Sequence, residues 1–359
     1  MKDLSKPTLD PALAERLGAV HFDGMKKSIV GLKMVAAATR DGGRAMVSLV
    51  LPSPEHPQRA ALEADVRAAL TGLDGVTDVE LKTSWSVGEG DFSKPPIPGV
   101  KNVIAVASGK GGVGKSTVAS NLAVGLAQMG AATGLLDLDI YGPSVPIMLG
   151  KCETPGVLPG TEKVVPSEAH GVRFLSMGQF AGGDKAVLWR GPMLHRMVGQ
   201  LTAAHWGELD YLVLDLPPGT GDVQLTLTQT VPLSGAVIVT TPQEIALIDA
   251  RKGLRMFDEA HVPILGIVEN MSWYDCRKCS KRHALFDEGG GARLATEAGV
   301  PLLAQLPLVA DVADASDAGR PLVLQSDSRH AAPYHQLAVH VAAAVGRLSL
   351  NRSPFRVFQ

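Results

Sequence analysis

The sequence predicts an α/β protein: a doubly wound, mainly parallel sheet organised around one glycine-rich loop, with a small α/β domain ahead of it. Three observations predict this. Residues 103–120 read VIAVASGKGGVGKSTVAS, in which an apolar, β-branched run enters the glycines and a helical pattern (Val118, Leu122, Val124, Leu126) leaves them. Downstream, short and nearly continuous apolar runs alternate with helical periodicity, the pattern of a parallel sheet covered on both faces. Between the two regions, residues 86–99 (SVGEGDFSKPPIPG) concentrate Gly, Pro and Ser and read as a linker.

In chain order, residues 1–85 form the small domain, with helices expected at 11–17 and 59–70 and strands at 28–36, 44–51 and 76–82. These elements alternate too briefly for a doubly wound sheet. The linker covers 86–99 and the larger domain 100–359. Its expected strands are 103–107, 134–138, 172–177, 211–216, 236–241, 264–269 and 302–305. Helices fill most intervals, including 245–260 and 291–298, and a last helical stretch at 334–348 turns its apolar positions toward the sheet. Ligands of such sheets bind at the carboxyl ends of the strands, so the chemistry is sought there.

Composition narrows the function classes. The 359 residues are 45% hydrophobic and 19% charged with a formal net charge of −2, an ordinary globular balance with no basic patch to suggest nucleic acid. The stretch MKDLSKPTLDPALAERLG carries charge throughout, and no apolar run approaches membrane-spanning length. A cytoplasmic protein without stable membrane association is expected. Three cysteines, two of them close together, fit a reducing compartment in which thiols serve as metal or redox ligands.

Gly109, four residues, then Gly114, Lys115 and Ser116 complete a phosphate-binding motif. Gly109, Gly111, Gly112 and Gly114 let the backbone wrap closely enough for successive N–H groups, through Val113 to Thr117, to face phosphate oxygens. The new helix adds its positive end. Lys115 is expected on the β- and γ-phosphates of ATP and the Ser116 hydroxyl on Mg²⁺. A second lysine, Lys110, makes the loop GKGGVGKS, which resembles the deviant P-loop of the superfamily that includes cell-division-positioning, plasmid-partitioning, nitrogenase-iron-protein and anion-pump ATPases. The resemblance implies a sheet of the deviant P-loop NTPase type and a homodimer in which Lys110 crosses to the partner's nucleotide. There it would stabilise the transferring phosphoryl group much as an arginine finger does.

Two further strand ends carry carboxylates. Asp215 closes the run Tyr211-Leu-Val-Leu and is expected to hold Mg²⁺ through a water; the following Pro-Pro-Gly-Thr-Gly suits a γ-phosphate-sensing switch. Asp137 and Asp139 share a face of their strand, with Asp139 expected to position the attacking water and Asp137 to support it. Asn270, at the end of another expected strand, is a candidate reader of the adenine amino group, because an amide both donates and accepts.

Cys276 and Cys279 form a C-x-x-C in NMSWYDCRKCSKRHALFDEGGG, with Arg277 and Lys278 between them favouring thiolate. Alone, such a pair is open to four readings: a redox couple, half a zinc site, half an iron–sulfur site or an incidental pair. Two thiolates do not complete a four-ligand site; two copies of the chain would. His283 reads as a loop histidine, Cys152 as a packed or incidental thiol, and the ten histidines show no ligand spacing to compete with the cysteines.

VIAVASGKGGVGKSTVASNLA, LLDLDIYGPSVPIMLG, WRGPM (from Trp189), WGELDYLVLDLPPGTGDVQLTL, ENMSWYDCRKC and FDEGGGARLA together resemble the Mrp/ApbC family of P-loop ATPases, over residues 100–324. The resemblance implies slow, switch-type ATP hydrolysis and a [4Fe–4S] cluster bridging two subunits through Cys276 and Cys279. It implies apo iron–sulfur proteins and cluster-assembly scaffolds as partners. Residues 1–85 are similar to the small iron–sulfur-assembly-associated domain often fused ahead of this ATPase. They depart from it at 51–57, LPSPEHP, where many such domains carry a cysteine, so no thiol chemistry is expected there. Two rival readings use the same features. One is a metal-free membrane-positioning or partitioning ATPase, for which the tail RLSLNRSPFRVFQ offers only Arg347, Arg352 and Arg356, interrupted by Pro354. The other is a zinc-stapled P-loop dimer.

Overall fold

The computed structural model describes residues 8–90, 94–139, 142, 144–180, 191–276, 278–279 and 281–351. Trp189 of WRGPM, Arg277 of the C-x-x-C, and Arg352, Pro354 and Arg356 of the tail lie outside the described residues. The chain divides into two compact units, one drawn from Met1–Gly88 and Ala342–Gln359 and the other from Glu89–Val341.

The first unit contains β1 (Thr8–Leu9), α1 (Pro11–Leu17), β2 (Val35–Asp41), β3 (Arg44–Leu51), α2 (Arg59–Leu70) and β4 (Asp78–Trp85). Asp10 caps α1 by accepting from the N–H groups of Ala12 and Leu13, and Pro11 supplies a preset first helical residue. In the sheet, ordered β1-β2-β3-β4, β2 and β3 are antiparallel and the outer pairs parallel. Leu62, Val66 and Leu70 of α2, four residues apart, bury one face of that helix in a core with Leu13, Leu17, Val47 and Leu49.

The strand expected at 28–36 does not form; β2 begins only at Val35. Ile29 and Leu32 reach the core from a turn closed by the Leu32 N–H on the Ser28 carbonyl, and Lys33 takes φ +59°, outside the strand region. The apolar residues Met25, Ile29 and Leu32 are spaced by three and four, not by two. The LPSPEHP segment is also drawn inward: Ser53 and His56 are buried, and the His56 ring meets Phe22 at 4.8 Å.

The second unit opens with β5 (Val103–Ser108), α3 (Lys115–Gln128), β6 (Thr133–Asp137), α4 (Val145–Met148), β7 (Ser167–Ala169), β8 (Val172–Ser176) and α5 (Gly191–Thr202). It continues with β9 (Tyr211–Asp215), α6 (Asp222–Thr230), β10 (Gly235–Thr240), α7 (Glu244–Glu259), β11 (Ile264–Asp275), β12 (Arg282–His283), α8 (Gly290–Ala298), β13 (Leu302–Pro307) and α9 (Ala310–Asp317). The last helix, α10 (Ala332–Leu350), begins in the second unit and from Ala342 onward belongs to the first. The sheet runs β12-β11-β10-β5-β9-β6-β8-β7 with β13 beside β11, and its pairs are parallel except those of the short β7 and β12. Every residue of β5, β6, β9 and β10 is buried, as expected of strands covered on both faces.

Parallel pairing gathers the carboxyl ends of β5, β6, β9, β10 and β11 on one edge, and register decides which side chains meet. Asp137 is the direct partner of Asp215, and Asp215 of Val106. β11 runs six residues past its expected end. It crosses an irregularity at which Met271 takes φ +58° and the pairing with β13 shifts between Glu269 and Trp273, so Asn270 sits inside the strand at a bulge. Among the described residues no helix is long and apolar enough to cross a membrane.

Candidate functional site

Gly112 and Gly114 take φ +80° and +82°, left-handed backbone that other residues adopt only under strain, so the loop after β5 needs glycine there. Gly114 is also the N-cap of α3, which makes Lys115, Ser116 and Thr117 the first turn of that helix, where N–H groups lack helical partners and face the loop. Gly109 lies against the backbone of Asp249 in α7, where a Cβ would collide; Gly111 faces open space. Val113 is buried, and its carbonyl accepts from Asn270 Nδ2 at 2.9 Å. Asn270 Oδ1 in turn accepts from the Met271 N–H at 2.9 Å, so both ends of the amide are engaged by backbone.

The Lys115 ammonium is buried among carboxylates. Nζ lies 2.5 Å from Asp215 Oδ1, 3.6 Å from Asp139 Oδ2 and 3.4 Å from Ser116 Oγ. Asp137 accepts from the Ser176 hydroxyl at 2.8 Å and from the Asp139 N–H at 2.9 Å. Burial, then the neighbouring Asp215 charge, push the Asp137 carboxyl up to about 7. Burial also raises Asp215, against the pull of Lys115 and Ser116. Three carboxylates thus face one ammonium, and Asp215 Oδ2 is buried with no hydrogen-bond partner. Such a cluster fits a divalent cation with its waters. The proline-glycine segment after β9 reaches the same edge: the Gly219 N–H donates to the Ser108 carbonyl at 3.0 Å, with φ +101° at Gly219. Lys110 is partly exposed; its carbonyl accepts from Ser108 Oγ at 2.9 Å and its Nζ reaches Gln243 Oε1 at 3.5 Å, just before α7.

The second cluster lies at the far end of β11. Asp275 and Tyr274 pair with Arg282 and His283 of β12, and the Cys276 N–H donates to the Lys281 carbonyl at 3.0 Å, closing a hairpin around the C-x-x-C. The ligand atoms of Cys276, Cys279 and His283 all lie within 4.8 Å of one another, with Cys279 Sγ 3.8 Å from His283 Nε2. The backbone N–H groups of Cys279 and Lys278, then the Cys279 side chain, hold the Cys276 thiol below its usual pKa, toward the thiolate that binds metals. Behind the tip, Asp275 bonds His330 at 3.1 Å and lies 3.6 Å from Arg282 and 3.4 Å from Arg329; the Arg282 guanidinium sits 4.0 Å over the Trp273 ring.

The fold therefore brings together Lys115, Ser116, Asp137, Asp139 and Asp215 at one edge, and Cys276 with Cys279 at another place. It adds two residues that sequence reasoning passed over. Ser176, on β8, holds Asp137, and only the pairing of β8 with β6 reveals it. His283 joins the cysteines; its signal was the four-residue interval after Cys279. Cys152 is exposed rather than packed.

Known proteins match the chain in two segments. Residues 99–342 match the family described as NUBPL iron-transfer P-loop NTPase, and residues 12–81 match the one described as iron-sulfur cluster assembly protein. The iron-sulfur cluster carrier protein of Deinococcus radiodurans is 47% identical over 317 residues, 88% of this chain and 89% of that protein. The carrier protein of a Synechocystis strain is 45% identical over 342 residues, 93% and 97% of the two chains. Among solved structures, a nucleotide-binding protein from Archaeoglobus fulgidus, in complex with ADP and with cobalt found in it, superposes with a TM-score of 0.57. It is 36% identical, covering 65% of this chain and 91% of that one.

Proposed function

The chain belongs to the NUBPL iron-transfer P-loop NTPase family, and on that footing we propose that it is an ATP-hydrolysing iron–sulfur cluster carrier. It binds a [4Fe–4S] cluster across a homodimer, receives it from cluster-assembly scaffolds and hands it to apo-proteins in the cytoplasm. The carrier proteins alike over most of the chain support this reading. The observation that carries it is the double duty of β11: Asn270 within the strand is bonded to the phosphate loop at Val113, and the end of the strand leads into Cys276 and Cys279.

In this reading Lys115 and the N–H groups of residues 109–117 hold the phosphates of ATP. Ser116 and, through a water, Asp215 hold Mg²⁺, a role supported by the buried, unpartnered Oδ2 of Asp215. When bound, Mg²⁺ neutralises charge on the transferring phosphoryl group. Asp139, beside Lys115, orients the attacking water, and Asp137 supports it. Lys110 reaches the partner's nucleotide. Ile245 and Ile248, 70% and 46% exposed at the start of α7, flank the Gln243 that Lys110 touches and give a second copy apolar surface to cover. Asn270 holds the loop with one amide N–H and accepts once at its oxygen, which leaves its second N–H and second lone pair for the adenine edge.

The test is anaerobic reconstitution with iron and sulfide, on wild type and on the variant carrying Cys276→Ala and Cys279→Ala. About four irons and four sulfides per dimer are expected, lost in the variant, with transfer to an apo-protein that depends on ATP. Iron that does not depend on the cysteines would refute the reading.

A further inference from the structure

The two faces of the β11–β12 hairpin are chemically different, and the pairing register makes them so. Side chains alternate along a strand and directly paired residues share a face. Tyr274 pairs with His283, so His283 lies on the face that also carries Cys276, two residues beyond Tyr274. Trp273, Asp275 and Arg282 fall on the other face. There Arg282 covers the Trp273 ring, and Asp275 is tied to Arg282, Arg329 and His330. One face anchors the hairpin; the opposite face is left with two thiols and an imidazole.

The spacing of those three donors indicates what they hold. Zinc–sulfur bonds of about 2.3 Å and zinc–nitrogen bonds of about 2.0 to 2.1 Å, at tetrahedral angles, separate neighbouring ligand atoms by about 3.5 to 3.8 Å. Cys279 Sγ and His283 Nε2 stand 3.8 Å apart, and all three donor atoms fall within 4.8 Å of one another. The Cys279–His283 pair matches one edge of a coordination tetrahedron, and the remaining pairs lie close enough for all three donors to share one ion. A cluster instead spreads its cysteines over different iron atoms and, when bridging two copies, has no use for a third donor from each.

We propose that Cys276, Cys279 and His283 of one protomer form a complete three-donor site for a single divalent transition-metal ion of the zinc or ferrous class, with the fourth position open. The assignment rests on the reading of the two cysteines as metal ligands and adds His283 and a one-ion, one-protomer occupancy. Two soft thiolates with one imidazole suit zinc, iron(II) and cobalt(II) and disfavour calcium and magnesium. The open position takes water or an incoming thiolate. An ion held this way uses the same thiolates that a bridging cluster requires, so the two occupancies exclude one another on a given chain.

Cobalt(II) is the probe, titrated anaerobically into the reduced, metal-free full chain. One cobalt per chain is expected, with the visible absorption of a four-coordinate ion and thiolate-to-cobalt charge transfer, and zinc should displace it. His283→Ala should weaken cobalt binding roughly tenfold or more, since loss of even an outer-shell partner costs that much. His283→Cys should restore the affinity and add about half again to the charge-transfer intensity, as three thiolates replace two. An unchanged affinity and spectrum in His283→Ala, or half a cobalt per chain, would overturn the single-protomer site and leave the cysteines as ligands. Cobalt binding that survives Cys276→Ser with Cys279→Ser would instead remove the cysteine reading on which both proposals stand.

Discussion

Asn270 and Val113 are 157 residues apart in sequence, yet Asn270 Nδ2 donates to the Val113 carbonyl at 2.9 Å and pins the phosphate loop to β11. Six residues farther along the chain is Cys276, at most about 20 Å away at the rise of an extended strand. The loop and the thiol tip are therefore joined by one short, continuous piece of backbone.

Asn270→Ala removes this pin and leaves a buried carbonyl without its donor. That loss is worth about 1 to 3 kcal/mol, or roughly 5- to 150-fold in nucleotide affinity if the loop order is what binding requires. Calorimetric titration with ADP should report the drop, while reconstituted iron and sulfide stay at the wild-type level. An unchanged affinity would mean that the loop holds its shape without Asn270.

Lys115 is the ammonium shared by Asp215 and Asp139, so its removal acts on folding as well as on phosphate binding. Lys115→Ala should abolish ATP hydrolysis and, by leaving buried carboxylates uncompensated, destabilise the second unit by about 3 to 5 kcal/mol. Adding Asp215→Asn should recover much of that stability and none of the hydrolysis. Thermal unfolding of the single and double variants gives the coupling directly. If the second substitution recovered nothing, the pair would be contributing little to the fold.

The parts of the site written in contiguous residues were legible: the glycine loop with Lys115 and Ser116, the strand ending at Asp215, and the C-x-x-C. Periodicity also placed α1, β3 and α2 to the residue. What sequence could not supply depends on register and on distant partners. His283 looked like a loop residue because only its pairing with Tyr274 turns it toward Cys276. Asn270 looked like a strand end because apolar periodicity stops at the bulge, whereas the backbone ladder resumes beyond it to Asp275. Residues 28–36 looked like a strand because a turn that buries Ile29 and Leu32 has the same apolar content as one.

Asp137 makes the second unit sensitive to pH in an unusual direction. Its folded pKa, raised to about 7 chiefly by burial and then by Asp215, lies above the ordinary value of 3.8. Between those two values the folded state holds the proton that the unfolded chain releases, so stability is greatest at low pH and falls as pH rises toward 7. Asp137→Asn, which cannot ionise, should flatten that slope and leave the second unit more stable than wild type by about 2 to 4 kcal/mol near pH 8 without magnesium. Denaturant unfolding across this range would decide it; an equal slope in both proteins would show that Asp137 does not titrate there.

His56 gives the first unit the opposite dependence. Its ring is buried against Phe22, Nδ1 accepts from the Gln58 N–H at 3.1 Å, and Nε2 has no hydrogen-bond partner. Burial lowers its pKa below the ordinary 6.5, with the Asp23 charge working weakly the other way. As pH falls through about 6.5 the unfolded chain takes up a proton that the buried ring refuses, so stability present at neutral pH is lost on acidification. His56→Asn keeps an acceptor for the Gln58 N–H and cannot charge. It should lower stability at neutral pH by about 1 kcal/mol through the lost ring contact, yet remove the acid-dependent part. Hydrogen exchange of peptides from β3 and α2, corrected for intrinsic rates, reads the first unit alone. Wild type should lose protection between about pH 7 and pH 5.5 and His56→Asn should not. Equal losses in both would place the acid sensitivity in the carboxylates of the unit instead.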